Sequence, residues 1–158
     1  MPLAIRIVAV GTKMPAWVQA GIDDYGARLP RDWRVEWREI RAEPRAAGGA
    51  AATWMAREAQ RIRAALPAGA RLVALDEKGD APDTHAFAQR LSRWQQDARP
   101  VALLIGGPDG LDAELKAECA ERLRLSSLTL PHPLVRVVLA EQIFRAWSLL
   151  AGHPYHRE

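Results

Sequence analysis

Two stretches limit what this chain can fold into. Residues 3–10, LAIRIVAV, and 101–105, VALLI, are almost unbroken apolar runs, and each stops at a rigid loop, GTKMP in one case and GGP in the other. A strand that is apolar on both faces has to be covered on both. In a chain this size that means a parallel sheet between layers of helix, not a sandwich or a barrel with one wet face. The segments between the runs fit. The spacing predicts a helix after Pro15 that carries Trp17, Val18, Ile22, Tyr25 and Leu29. Trp33, Val35, Trp37 and Ile40 read as one face of a second strand with Arg34, Glu36 and Arg38 opposite, the alternation slipping near Glu39. One solvated face places that strand at a sheet edge. Residues 42–50 form a loop, and a helix follows to about Leu66. Leu72–Leu75 is a short strand whose exit is Asp76–Gly79. Asp83 or Thr84 caps a helix with Phe87, Leu91 and Trp94. Leu111 to about Leu123 reads as helix, and the apolar run Leu123–Leu130 as a last strand closed by Pro131-His132-Pro133. The alternation predicts an α/β fold, a mostly parallel sheet with helices on both faces, in a single domain over residues 1–158.

Composition removes several classes of function. Hydrophobic residues are 49% and charged residues 26% of the chain, ordinary for a globular protein. No apolar run approaches the roughly 18 residues of a membrane span, so no membrane partner is expected. One cysteine, Cys119, excludes an internal disulfide framework and fits a reducing cytoplasm. The scattered histidines have no metal-ligand spacing, so no metal is expected. The net charge of +3 and pI of about 9.5 permit an anionic partner without specifying one. Arg57, Arg61 and Arg63 form either a solvated helix face or an RNA-binding strip.

Three strand exits are candidates for chemistry: Leu75-Asp76, Gly106-Gly107 and Leu125–Leu130. There is no G-x-G-x-x-G, which argues against a dinucleotide site, and no P-loop. Apolar strand ends with bare backbone suit a ligand that has an adenine and no phosphates. Glycine at a strand exit lets backbone approach a ligand, so a bulky side chain at Gly106 is expected to block the pocket and leave the fold intact. The prolines around His132 hold an extended approach to the last helix. His132 is either a base or substrate contact, or a hydrogen-bonded structural residue. Arg136 lies on the apolar stripe of that helix with Leu139, Ala140, Ile143, Trp147 and Leu150. A buried unpaired guanidinium is very costly, so Arg136 either snorkels or meets an anion or partner. The helix is apolar almost all round at its start, with Val135, Val138 and Leu139 expected to be left uncovered for a second copy of the chain. The tail His153-Pro154-Tyr155-His156-Arg157-Glu158 is either a frayed end or an RNA contact. In the second case Tyr155 stacks on an unpaired base, Arg157 holds a phosphate, and His153 or His156 assists proton removal.

Over its whole length the chain resembles the large-subunit methyltransferase H family of ribosomal RNA methyltransferases, of the SPOUT (α/β-knot) class. The segments that carry the resemblance are VAVGTKMP, the LD at 75–76, LLIGGPDGL, SSLTLPHPLVRV and the terminal HPYHRE. Residues 42–64, opening AEPRAAGGAAATW, depart from the lysine-rich pattern common in that family. The resemblance implies a cytoplasmic homodimer with a C-terminal trefoil knot. It also implies S-adenosyl-L-methionine as cofactor and, as target, the N3 of a pseudouridine in 23S rRNA of the assembled ribosome. The cofactor-binding residues it implies are Leu75, Gly106, Leu125, Ser126, Ser127, Leu128, Thr129 and Leu130. Two other readings stand beside it: a non-catalytic ribosome-associated RNA-binding α/β module, and a hydrolase of phosphate-free nucleotides.

Overall fold

Strands β1 (Leu3–Val10), β2 (Trp33–Ile40), β3 (Arg71–Asp80), β4 (Val101–Ile105) and β5 (Glu121–Leu123) form one all-parallel sheet in the order β2-β1-β4-β3-β5. They alternate with helices α1 (Ala16–Arg28), α2 (Ala51–Ala64), α3 (Thr84–Asp97), α4 (Ala113–Glu118) and α5 (His132–Ala151), and a 3₁₀ turn, Pro154–Arg157, ends the chain. This computed structural model describes residues 2–46 and 48–157; Met1, Ala47 of the 42–50 loop and Glu158 of the tail lie outside the described residues.

The expected helix layers are present on both faces. Along β1, Ile5 and Ile7 point into a cluster with Phe87, Leu91, Trp94, Leu139 and Ile143, on the side of α3 and α5. Val8 and Val10 point the other way, toward Ala59, Ile62 and Leu115 of α2 and α4. Each fully buried aliphatic side chain here is worth about 1.5–3 kcal/mol over leaving it in water. Helix α5 packs against both α1 and α3. Its start therefore lies beside the exits of the central strands.

Several local expectations need correction. Strand β2 is at the sheet edge as expected, but its alternation does not slip. Trp33, Val35 and Trp37 pack on the α5 side, Ile40 packs on the α2 side, and Glu39 keeps the parity of the first three. Trp17 is 54% exposed and takes no part in the core that Val18 and Ile22 join. The predicted helix over 111–123 is a short helix followed by β5, because the Ala120 N–H leaves the helix to donate to the Leu72 carbonyl of β3 (2.9 Å). The predicted strand over 123–130 is β5 and then irregular backbone. Strand β3 outlasts its apolar core: Leu123 pairs with Leu75 and again with Asp80, and the residues between bow outward. Gly79 passes so close that a Cβ there would lie 2.6 Å from the Leu123 nitrogen. Leu139, expected to be uncovered, is completely buried within the chain.

Candidate cofactor site

The exits of β3 and β4 and the segment after β5 surround one cavity of about 660 Å³. Leu75, Gly106 and all six residues from Leu125 to Leu130 line it, so the three exits singled out in the sequence meet in space. The floor is apolar, with Leu75, Ile105, Leu125 and Val135, and the rim is charged, with Asp76, Lys78, Asp109, Lys116 and Arg124. Lys116 pairs with Asp76 at 3.6 Å. The Nε of Arg124 is buried without a hydrogen-bond partner. Sequence reasoning passed over this arginine because an isolated charge after a strand carries no pattern.

After β5 the chain cannot continue as strand. The Arg124 N–H uses the Asp80 carbonyl (2.8 Å), the last ladder partner that β3 offers. Ser126 Oγ then accepts from the Leu128 N–H at 2.9 Å, turning the backbone locally. Residues 124–130 thus wrap the cavity with irregular backbone.

Gly106 lines the cavity, but the expectation that a bulky side chain there would leave the fold intact needs correction. A Cβ there would lie 2.5 Å from the Gly110 carbonyl carbon and 2.7 Å from the Leu111 nitrogen. The glycine is required for the loop to close on itself, and a bulky residue would open the loop as well as fill the pocket.

His132 lines the cavity. Its Nε2 accepts from Arg136 Nε at 2.9 Å, and its ring bonds the Gly106 backbone. Because a guanidinium only donates, the ring's proton sits on Nδ1, toward Gly106. Burial, and then the charge of Arg136, hold the His132 pKa below its ordinary value. The lone pair a general base would need is already engaged, so the hydrogen-bonded reading of His132 is the one the geometry supports. Arg136 does not snorkel. It is 2% exposed and sits one layer behind His132, where Nη1 donates to Glu39 at 2.6 Å and Nη2 to the Gly11 carbonyl at 2.9 Å. It ties the exits of β1 and β2 to the wall of the cavity. The parity of Glu39 with Trp33, Val35 and Trp37 was the sequence signal for this partner.

The tail is folded onto α5. The Tyr155 hydroxyl donates to Glu141 (2.9 Å), its ring lies edge-on to Phe144 at 4.6 Å, and the Arg145 guanidinium covers it at 4.8 Å. Burial, then the hydrogen bond to Glu141, raise the Tyr155 pKa. His156 approaches Ser148 at 3.4 Å, His153 stands near Trp147, and Arg157 is exposed. Glu141 is nine residues beyond His132, about 13 Å along the helix and half a turn around it. Within one chain the tail therefore faces away from the cavity. Arg61 and Arg57 are paired with Glu43, and Arg63 with Glu118, so the α2 arginines are largely neutralised where they stand. Among the described residues no His/Cys/Asp/Glu group could hold a metal ion, and no helix is long and apolar enough to cross a membrane.

Residues 3–156 match the family described as "Predicted SPOUT methyltransferase". The chain belongs to the SPOUT methyltransferase family. Within it, the ribosomal RNA large subunit methyltransferase H of Bordetella avium is 58% identical over 155 residues, covering 98% of this chain and 99% of that one. The protein of the same name from Burkholderia lata is also 58% identical, with the same coverage. A crystal structure of a probable methyltransferase from Bordetella pertussis superposes with a TM-score of 0.60 at 16% identity, covering 91% of this chain and 94% of that one. That likeness supports the fold. The cavity at the exits of β3, β4 and β5 is lined by the residues that the family resemblance implied for a cofactor.

Proposed function

We propose that the protein uses S-adenosyl-L-methionine to methylate N3 of a pseudouridine in 23S rRNA, on the assembled ribosome, and works as a cytoplasmic homodimer with a C-terminal trefoil knot. The observation that carries this is the 58% identity to a ribosomal RNA large subunit methyltransferase along nearly the whole of both chains. The cavity fits the cofactor. Its volume is within the usual range for small-molecule sites, its apolar floor suits an adenine, its irregular backbone over 124–130 can bond the base edge, and its charged rim suits the zwitterionic methionine end. When bound, the cofactor would supply an electrophilic methyl group on a sulfonium.

The work left to the chain is positioning. The pseudouridine N3–H would have to give its proton to water or to a tail histidine before N3 had a lone pair for the methyl group, and the anionic nitrogen and the cationic sulfonium would then neutralise each other. A dry, apolar floor favours that cancellation. His132 and Arg136 keep the glycine loop in place without taking the proton. Arg157 and the histidines of the tail are the groups suited to the RNA. Since the tail faces away from its own cavity, we assign it to the cavity of a second copy. Trp17 of α1, Leu134 and Leu150 of α5 are exposed, and an apolar recess of about 330 Å³ between α1, β2 and α5 is lined by Ile22, Trp37 and Ile143. A partner would cover these.

The test is transfer of tritiated methyl from S-adenosyl-L-methionine to ribosomes lacking the modification, with the label mapped to 23S rRNA. Ribosome binding without label or saturable cofactor heat would indicate a non-catalytic RNA-binding module. A stable monomer by sedimentation at micromolar concentration would remove the assignment of the tail to a second copy.

A further inference from the structure

One buried acid has no part in the mechanism above. Glu58 of α2 is 2% exposed and lies beneath the glycine loop: a Cβ on Gly107 would come within 3.3 Å of its carboxylate. It accepts from the Glu43 N–H at 2.9 Å and from Arg45 Nη1 at 2.6 Å. Arg45 also donates to the Glu43 carbonyl at 2.7 Å, and its face lies over Trp54 at 5.4 Å. Its remaining nitrogens reach across to the cavity rim, where Nε and Nη2 stand 3.1 and 2.9 Å from Asp109 Oδ2. A buried carboxylate is expensive unless paired. Here the pairing fixes a planar fork whose other edge holds the turn between Gly107 and Gly110.

We propose that Arg45, anchored by Glu58, is a positioning residue that holds the Gly106–Gly110 loop in its cofactor-binding shape through Asp109. This rests on the methyl-transfer reading. The loop's own bonding is slight: the Gly110 N–H to the Gly107 carbonyl at 3.0 Å, and three glycines without side chains to pack. Arg45 supplies the missing rigidity from outside, and it lies in the 42–50 loop, so anything that displaces that loop also loosens the cavity. A lysine cannot replace the fork, because a point charge cannot serve Glu58 and Asp109 together.

Glu58→Gln, Arg45→Lys and Arg45→Ala are compared with wild type by calorimetry with S-adenosyl-L-methionine, by steady-state kinetics on ribosomes, and by amide exchange of residues 106–111. Each variant is expected to bind cofactor about tenfold more weakly, which is about 1.4 kcal/mol, with KM for the cofactor raised, KM for ribosomes unchanged and kcat within about twofold. Exchange in the loop rises, and Arg45→Lys behaves like Arg45→Ala. Variants that lose thermal stability but keep wild-type cofactor affinity and loop exchange would overturn the proposal. Wild-type protein that binds no cofactor would overturn the methyl-transfer reading instead, and the exchange rates, which need no ligand, would still decide whether Arg45 holds the loop.

Discussion

Replacing Arg136 by methionine keeps much of the side chain's bulk and removes three hydrogen bonds. The acceptors left behind differ. Glu39 has 38% of its side chain exposed and can take water, so its loss counts for little. The Gly11 carbonyl and His132 Nε2 lie against the buried guanidinium and lose their donor, at about 1–2 kcal/mol each. The total, about 3 kcal/mol, is at the low end for breaking a buried ion pair. For a domain of this size that lowers Tm by roughly 6–12 °C. Glu39→Gln attacks the same network from the other side and leaves a guanidinium that is 2% exposed without its counter-charge. The double variant should therefore be more stable than the sum of the singles predicts, by at least about 1 kcal/mol. Thermal and urea unfolding of the four proteins decides this. Additivity within about 0.5 kcal/mol, or an Arg136→Met protein melting within about 2 °C of wild type, refutes the view of Arg136 as the tie between the strand exits.

Gly106→Ala should cost about 1–3 kcal/mol, because the nearest atoms to the new methyl are backbone and cannot step aside; an alanine protein with wild-type melting and cofactor affinity would refute the closed-loop geometry. The lowered pKa of His132 means that the unfolded chain binds its proton more readily than the folded one. The stability from keeping His132 neutral is thus complete above about pH 6.5 and is lost as pH falls from there through the lowered folded value. His132→Gln should flatten that part of a urea-derived stability profile measured across it, and an unchanged slope would assign the effect elsewhere. Deleting residues 153–158 should abolish rRNA methylation, leave cofactor affinity within a few-fold of wild type and lower Tm, since Tyr155 is anchored to Glu141 and Phe144. Arg157→Ala should lose activity with Tm unchanged, and normal methylation by either protein would make the tail structural only.

The architecture was legible because hydrophobic periodicity reports burial, and burial here follows the layers. LAIRIVAV, Arg6 apart, and VALLI are apolar because both faces of β1 and β4 are covered. The errors fall where partners, not patterns, decide. SSLTL alternates as a strand does, yet β5 stops at Leu123 because β3 has no further acceptors to offer. DEKGD at 76–80 is too polar to read as a strand, yet β3 runs on through it: residues 76–79 bow outward and Asp80 pairs again with Leu123. The cavity could be located, since Leu75, Gly106 and Leu125–Leu130 all follow strands. What holds it in shape could not, because Glu39, Glu58 and Arg45 reach it from residues far away in the chain.

The register of β1 has a consequence for how the chain is made. Leu3 pairs with Trp33, one helix further along the chain, but on its other edge Ile5 waits for Val101. During synthesis β1 and β2 can join early. The inner edge of β1, whose only charged residue is Arg6, then has no partner until β4 has been made. At 5–20 residues per second that interval is on the order of several seconds. Such distant pairings are slow to form even in the finished chain, and an unpaired apolar strand edge is a template for aggregation. A strand buried along most of its length in the native protein is thus left exposed while it is being born, and the yield of folded protein should depend on how fast residues 41–105 are translated.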